Sequence, residues 1–282
     1  RPTYTETEND LTVKANKRTF IFSKKDGQLK GVSVDNRKIS FANGPRFIGA
    51  RRADRSLDQF YNHDDEKAKE KDRTYSEFPD AAVFTKLDVK EDGGNLVVTA
   101  NYKLGNLDKA QWTINPSGEL ALDYTYNFSG VVDLMGIRFD YPEDQVISKR
   151  WLGAGPYRVW QNRIHGTQYD VWENDYNDPI PGETFTYPEF KGYFGNVSWM
   201  NIQTKEGTIS LTNETPDAYI GVYQPRDGRD RLLYTLPESG ISVLNVIPPV
   251  RNKVNSTDLC GPSSQPKWVN GPQTGRVIFR FM

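Results

Sequence analysis

Apolar and polar residues alternate in short runs along most of this chain, and clusters of turn-forming residues separate the runs. Thr19-Phe20-Ile21-Phe22 leads into Lys25-Asp26-Gly27 and then Leu29 to Val34, which predicts a hairpin. Leu96 to Tyr102 follows the turn signal Asp92-Gly93-Gly94, and Gln111 to Ile114 turns at Asn115-Pro116-Ser117-Gly118 into Leu120 to Tyr126. Gly207 to Thr212 and Arg276 to Phe281 complete the clear strands. A period of two sends alternate side chains to opposite faces, so each run reads as a half-buried strand. Only residues 54–75 read as helix. Their charged run from His63 to Lys71 holds too few apolar positions for a buried stripe, so a solvated helix or a loop is expected there. The fold class that follows is all-β: two large antiparallel sheets packed together, with at most one or two short helices. Residues 1–10, rich in Thr and Glu, read as a connector, and residues 11–282 as a single domain.

Composition supports a β protein and narrows its partners. Aromatic residues make up 12% of the 282, with 23 Gly and 17 Pro scattered as punctuation. A chain of this length buries enough surface to fold without a metal or a disulfide. Lys and Arg number 36 against 37 Asp and Glu, for a net charge of −1, so nucleic acid is not expected as a partner. One cysteine, Cys260, rules out an internal disulfide, and with only His63 and His165 beside it a zinc site is not expected. No segment reaches the roughly 18 to 20 apolar residues of a membrane span, and mean hydropathy is −0.70. The opening Arg1-Pro2-Thr3 carries neither an initiator Met nor a signal-peptide core, so the chain reads as an excised piece.

The segment from Trp151 to Arg163 concentrates the chemistry. Its thirteen residues hold three aromatics, two arginines, an asparagine and the turn Gly153-Ala154-Gly155-Pro156. Planar rings beside directional hydrogen-bond groups suit a sugar, which offers a flat C–H face and a rim of hydroxyls. The competing reading makes Trp151 and Trp160 core and the arginines surface ion-pair partners. A second aromatic cluster runs from Tyr187 to Trp199, and residues 151–199 hold four of the six tryptophans. Such density means a stacking platform, a heavy core, or one on each face of a strand. Nucleophile elbows, phosphate-cradling loops and zinc-binding helices are absent. Glu183 and Glu189 sit among aromatics that could raise a carboxyl pKa, although a hydrogen-bonded strand acid is the simpler reading. The oxygen-rich Glu173 to Asp178 lacks ordered calcium-ligand spacing and reads as a polar loop. No catalytic residue, metal or cofactor is assigned.

These residues also carry a resemblance. Trp151-Leu152-Gly153-x-Gly155-Pro156-Tyr157-Arg158-x-Trp160-x-Asn162-Arg163 resembles the Trp-x-Gly-x-Gly-Pro-x-Glu-Asn-Tyr-x-Asp-Arg signature of the C-terminal domain of bacterial β-galactosidases of glycoside hydrolase family 2. Phe20 to Leu29 resembles that domain's opening hairpin, Trp112 to Leu120 its central strand pair, and Gly136-Ile137-Arg138 precedes the signature as in the family. Pro188-Glu189-x-x-Gly192 to Trp199 resembles its Pro-x-Glu-x-Gly segment. Asp258-x-Cys260-Gly261 to Trp268 resembles its closing Gly-rich turn and tryptophan. The resemblance implies a galactose-mutarotase-like β-supersandwich packed against a catalytic barrel that is not in this chain, in a secreted or periplasmic parent. It also implies carbohydrate contacts at Trp151, Tyr157, Arg158, Trp160, Asn162, Arg163, His165, Glu189 and Trp268. Arg158-Val159-Trp160 replaces the family's Glu-Asn-Tyr, which points to a glycan other than a plain galactoside. Three functions fit: an accessory glycoside hydrolase domain whose partners are a glycan and the barrel, a stand-alone mutarotase using His63, His165 and Glu189, and a structural interface domain.

Overall fold

Strand periodicity is realised as two antiparallel sheets. The computed structural model describes residues 1–52, 75–176, 178, 180, 190–222, 236–250 and 261–282. The first sheet follows the order β1 (Thr3–Glu6), β2 (Asp10–Ala15), β3 (Arg18–Ser23), β4 (Leu29–Val34), β6 (Ala42–Arg52), β12 (Leu134–Asp140), β18 (Ile241–Val246) and β17 (Tyr219–Gly221). Two short strands flank it: β5 (Arg37–Ile39) on β4 and β7 (Tyr75–Glu77) on β6. The second sheet runs β14 (Gln168–Asp175), β13 (Val146–Gly155), β15 (Trp199–Thr204), β16 (Gly207–Asn213), β19 (Lys267–Phe281), β11 (Leu120–Val132), β10 (Leu107–Ile114), β9 (Asn95–Lys103) and β8 (Val83–Asp92). Among the described residues, helical structure is limited to 3₁₀ turns at Glu143–Gln145 and Pro262–Ser264. The all-β expectation is met, and the hairpins read from Phe20 and Trp112 pair as β3–β4 and β10–β11.

Local chemistry explains the hairpins. Asn16-Lys17 and Asp35-Asn36 hold positive φ in the two-residue turns joining β2 to β3 and β4 to β5. Primed turns of this kind match the twist of the flanking strands, and Asn and Asp tolerate them best. Thr3–Glu6, read as connector, pairs with Leu11–Lys14 as an exposed edge strand, because the alternating Leu11 and Val13 already bury β2 and leave its outer edge open to pairing. The helix read over residues 54–75 lies outside the described residues, except that Tyr75 is buried and begins β7.

Inward residues from both sheets meet in one aromatic seam. Phe22 of β3 packs on Trp112 of β10 at 5.9 Å, Trp112 on Phe139 of β12 at 6.0 Å, and Phe139 on Phe279 of β19 at 5.5 Å. Phe41 stacks on Phe139 at 4.7 Å and also touches Phe279 and Phe281. All these rings are fully buried. Truncating one such ring in a close-packed core typically costs about 3–5 kcal/mol, so the seam is what holds the sheets face to face.

Further along the same interior lie Tyr124 and Tyr126, stacked at 6.3 Å. Burial pushes the Tyr124 phenol up to about 12, an effect partly offset by its hydrogen bond with Thr215. Burial, then the neighbouring Tyr124, raises Tyr126 as well, and its hydroxyl donates to Asn245. The folded chain therefore keeps protons that the unfolded chain releases near pH 10. The resulting stability is whole below about pH 10 and is lost as pH rises through the folded values. Denaturant melts from pH 9 to 12 should show a decline that is shallower in Tyr126→Phe. Phenol ionisation near pH 10 in the folded protein would contradict this.

Candidate functional site

Strand β13 delivers the motif. Trp151 points inward from its middle, donates its indole N–H to the Ala154 carbonyl at 3.0 Å, and meets Phe194 edge-on at 4.9 Å. At Gly155 a Cβ would lie 2.4 Å from the Trp172 indole, so only glycine allows β14 to close over the strand end. The chain then turns into a loop whose Trp160 meets Tyr193 edge-on at 5.7 Å. Val159 and Tyr193 exchange two backbone hydrogen bonds of 2.7 Å. A side chain at Gly192 would collide with the Val159 carbonyl, which makes glycine the condition for that approach.

Three of the residues expected to contact a saccharide lie inside the chain. Trp151, Arg158 and Trp160 are 0%, 1% and 2% exposed, so none of them offers a face to a ligand. The core reading holds for both tryptophans, because each ring finds an edge-to-face partner inside. Asn162 is also committed: its amide donates to the Val250 carbonyl at 3.0 Å and accepts the Val250 N–H at 2.8 Å. Tyr157 is half-buried against Phe190 and donates to the His165 carbonyl. Arg163 and His165 are exposed on the loop. Glu183, Glu189 and His63 lie outside the described residues. Trp268, at 74% exposed, is the expected contact with a free ring.

Gln161, passed over in the sequence, explains how these parts connect. Its buried amide donates to the carbonyls of Ser263 at 2.6 Å and Gln265 at 2.8 Å, and its backbone N–H to Pro248. The motif thus grips the segment that enters β19 immediately before Trp268. Past Asn127, β11 pairs only with β19 among the described residues, so Trp268, opposite Val131, stands on a two-stranded ribbon. A clamp and a displayed tryptophan both appear as plain polar and aromatic letters in sequence, and burial alone separates them.

Beside the motif, a cleft of about 450 Å³ opens between its loop and the neighbouring turns. Ala154, Val159, Ile164, Thr167, Tyr169, Gly195, Asn196, Asp217, Ala218 and Tyr219 line it. Burial, with a smaller contribution from the Asp217 charge, raises the Tyr219 phenol above its ordinary value. Under the motif, Lys149 is buried, donates to the Asp175 carbonyl and lies 5.9 Å from the Phe194 ring centre. Burial, then the nearby Arg158 charge, holds its amine well below the usual lysine range, against the opposing pull of Asp178 and Asp175. A second cleft of about 480 Å³ includes Lys30, Lys38, Asp140 and Glu238. Asp140 is engaged there by Arg46 and Asn43, which suits a structural acid. No cluster of metal-binding side chains occurs among the described residues, and Glu173, Asn174 and Asp175 of the oxygen-rich stretch lie in strand β14.

The beta galactosidase small chain family matches residues 14–251. The chain belongs to that family. Among curated proteins, no sequence matches it. Solved structures resemble this beta galactosidase small chain domain in fold. The galactose 1-epimerase of Lactobacillus acidophilus NCFM aligns over 100% of this chain and 98% of its own, with 10% identity and a TM-score of 0.50. An alpha-N-acetylgalactosaminidase from Bifidobacterium bifidum, determined with GalNAc, aligns over 96% of this chain and 36% of its own, with 10% identity and a TM-score of 0.43. A GalM/aldose epimerase homologue from C. elegans aligns over 100% and 99%, with 8% identity and a TM-score of 0.41. At these identities the epimerase likeness speaks for the fold alone, which is galactose-mutarotase-like.

Replacing Gln161 with Leu removes both side-chain bonds to the segment before β19. Each is worth about 0.5–1.5 kcal/mol net. The variant should therefore unfold at lower denaturant, with faster amide exchange confined to residues 261–268. Unchanged exchange in that segment would show that the clamp does not hold it.

Proposed function

We propose that this chain is the accessory β-sandwich of a family 2 glycoside hydrolase of the β-galactosidase type. It lends saccharide contacts and a packing face to a catalytic barrel carried elsewhere in its parent, and holds no catalytic carboxylate pair of its own. Residues 11–282 act in this role as one domain. The exposure of Trp268 carries the reading. Burying a ring of that size gains on the order of 2–3 kcal/mol, so a tryptophan left in water on a strand is poised for a partner. An indole face suits the apolar side of a pyranose ring, and its N–H suits a hydroxyl. A β-ribbon presents it at little entropic cost. Arg163 and His165 remain open to add polar contacts, and Tyr157 is half-open.

In the parent enzyme, Trp268→Ala should raise KM for its best aryl β-glycoside by about tenfold, the loss of one stacking contact, with a smaller change in kcat. The isolated chain should not hydrolyse any aryl β-glycoside. Hydrolysis by the chain alone, or an unchanged KM in the variant, would contradict the proposal.

A further inference from the structure

The cleft beside the motif is built from three segments that the core locks together. Val159 is bridged to Tyr193, and Phe194 to Ile220, with paired backbone bonds of 2.7 and 2.9 Å. Its walls are therefore fixed by backbone hydrogen bonds rather than by side-chain chance. At about 450 Å³ it falls within the roughly 300–1,000 Å³ range of small-molecule sites.

Its chemistry is specific. Tyr169, 52% exposed, is held at its far end by a 2.6 Å hydrogen bond with Ser198, so its ring is presented without much freedom to lose on binding. Tyr219 adds a second, half-buried ring. Asn196 and Asp217 are exposed and stand at positive φ, 50° and 55°. Unlike the residues of the hairpin turns, they lie in loops where no tight strand pairing demands it. This left-handed backbone, which Asn and Asp adopt readily, brings an amide and a carboxylate to the cleft that also holds the two rings. No Lys or Arg lines the cleft among the described residues.

We propose that this cleft binds a neutral pyranose, with the sugar's apolar face on Tyr169 and its hydroxyls on Asp217 and Asn196. A carboxylate accepts from two neighbouring hydroxyls, while the amide donates and accepts. Without a lining cation, the Asp217 charge turns away uronates and phosphates. The inference goes beyond the accessory role, because it needs neither a barrel nor Trp268.

Titration of the full chain with methyl β-D-galactopyranoside and methyl β-D-glucopyranoside, followed by saturation-transfer NMR and calorimetry, tests it. The expected result is saturable millimolar binding of at least one neutral glycoside and weaker binding of galacturonate. Tyr169→Ala should weaken binding about tenfold, and Asp217→Asn at least threefold, with unchanged near-UV circular dichroism. If Tyr169→Ala perturbs the fold, Tyr169→Phe keeps the ring, frees it from Ser198 and should weaken binding about twofold. Trp268→Ala separates the two sites: loss of binding in that variant alone would assign the sugar to the ribbon and overturn the cleft. The proposal also falls if no neutral glycoside binds, if Tyr169 and Asp217 variants bind normally, or if choline binds in place of the glycosides.

Discussion

Burial of Trp151 and Trp160 against Phe194 and Tyr193 is the constraint on which the functional end of this fold depends. Two edge-to-face contacts pull the 151–163 segment and the 193–194 segment into register, and Phe194 passes the register on to Ile220. Everything open nearby is placed by what is closed. The cleft walls are the outer sides of these segments, and the Trp268 ribbon is anchored through Gln161. The motif acts as a scaffold for surfaces on either side of it, and its two tryptophan rings are buried.

Electrostatics reinforces that division. Lys149 and Arg158 are both buried, and the Arg158 charge disfavours that of Lys149. Buried ionic groups contribute little to net stability and serve better to select one arrangement over others. At the outer face, by contrast, charges are paired across strands. Arg276 engages Asp123 and Glu214, and Arg280 engages Glu119, whose carboxyl is held below its usual range first by that hydrogen bond.

The sheets were legible in the sequence because a period of two is visible wherever one face is buried, as in Thr19 to Phe22 or Leu120 to Tyr126. Turn letters such as Asp92-Gly93-Gly94 placed the hairpins for the same local reason. Family resemblance extended the reading to a mutarotase-like sandwich. The site was less legible. Aromatic density around Trp151 marked the right region, but a tryptophan facing a sugar and one facing another ring are the same letter, and their difference is set by partners distant in sequence, Phe194 and Tyr193. Gln161 drew no notice because its bonds go to backbone carbonyls about a hundred residues later. Tyr169, Asn196 and Asp217 belong to three separate segments that only the fold brings together. Trp268 was singled out on resemblance, and its exposure is consistent with that.

The most direct measurement is solvent access at each indole. With fluorotryptophan incorporated, the six resonances can be assigned by substitution and titrated with a neutral soluble relaxation agent. The account requires strong broadening at Trp268 and almost none at Trp151, Trp160 and Trp112. Broadening of Trp151 or Trp160 comparable to that of Trp268 would mean that the motif is an open surface after all, and the scaffold role assigned to it would be wrong.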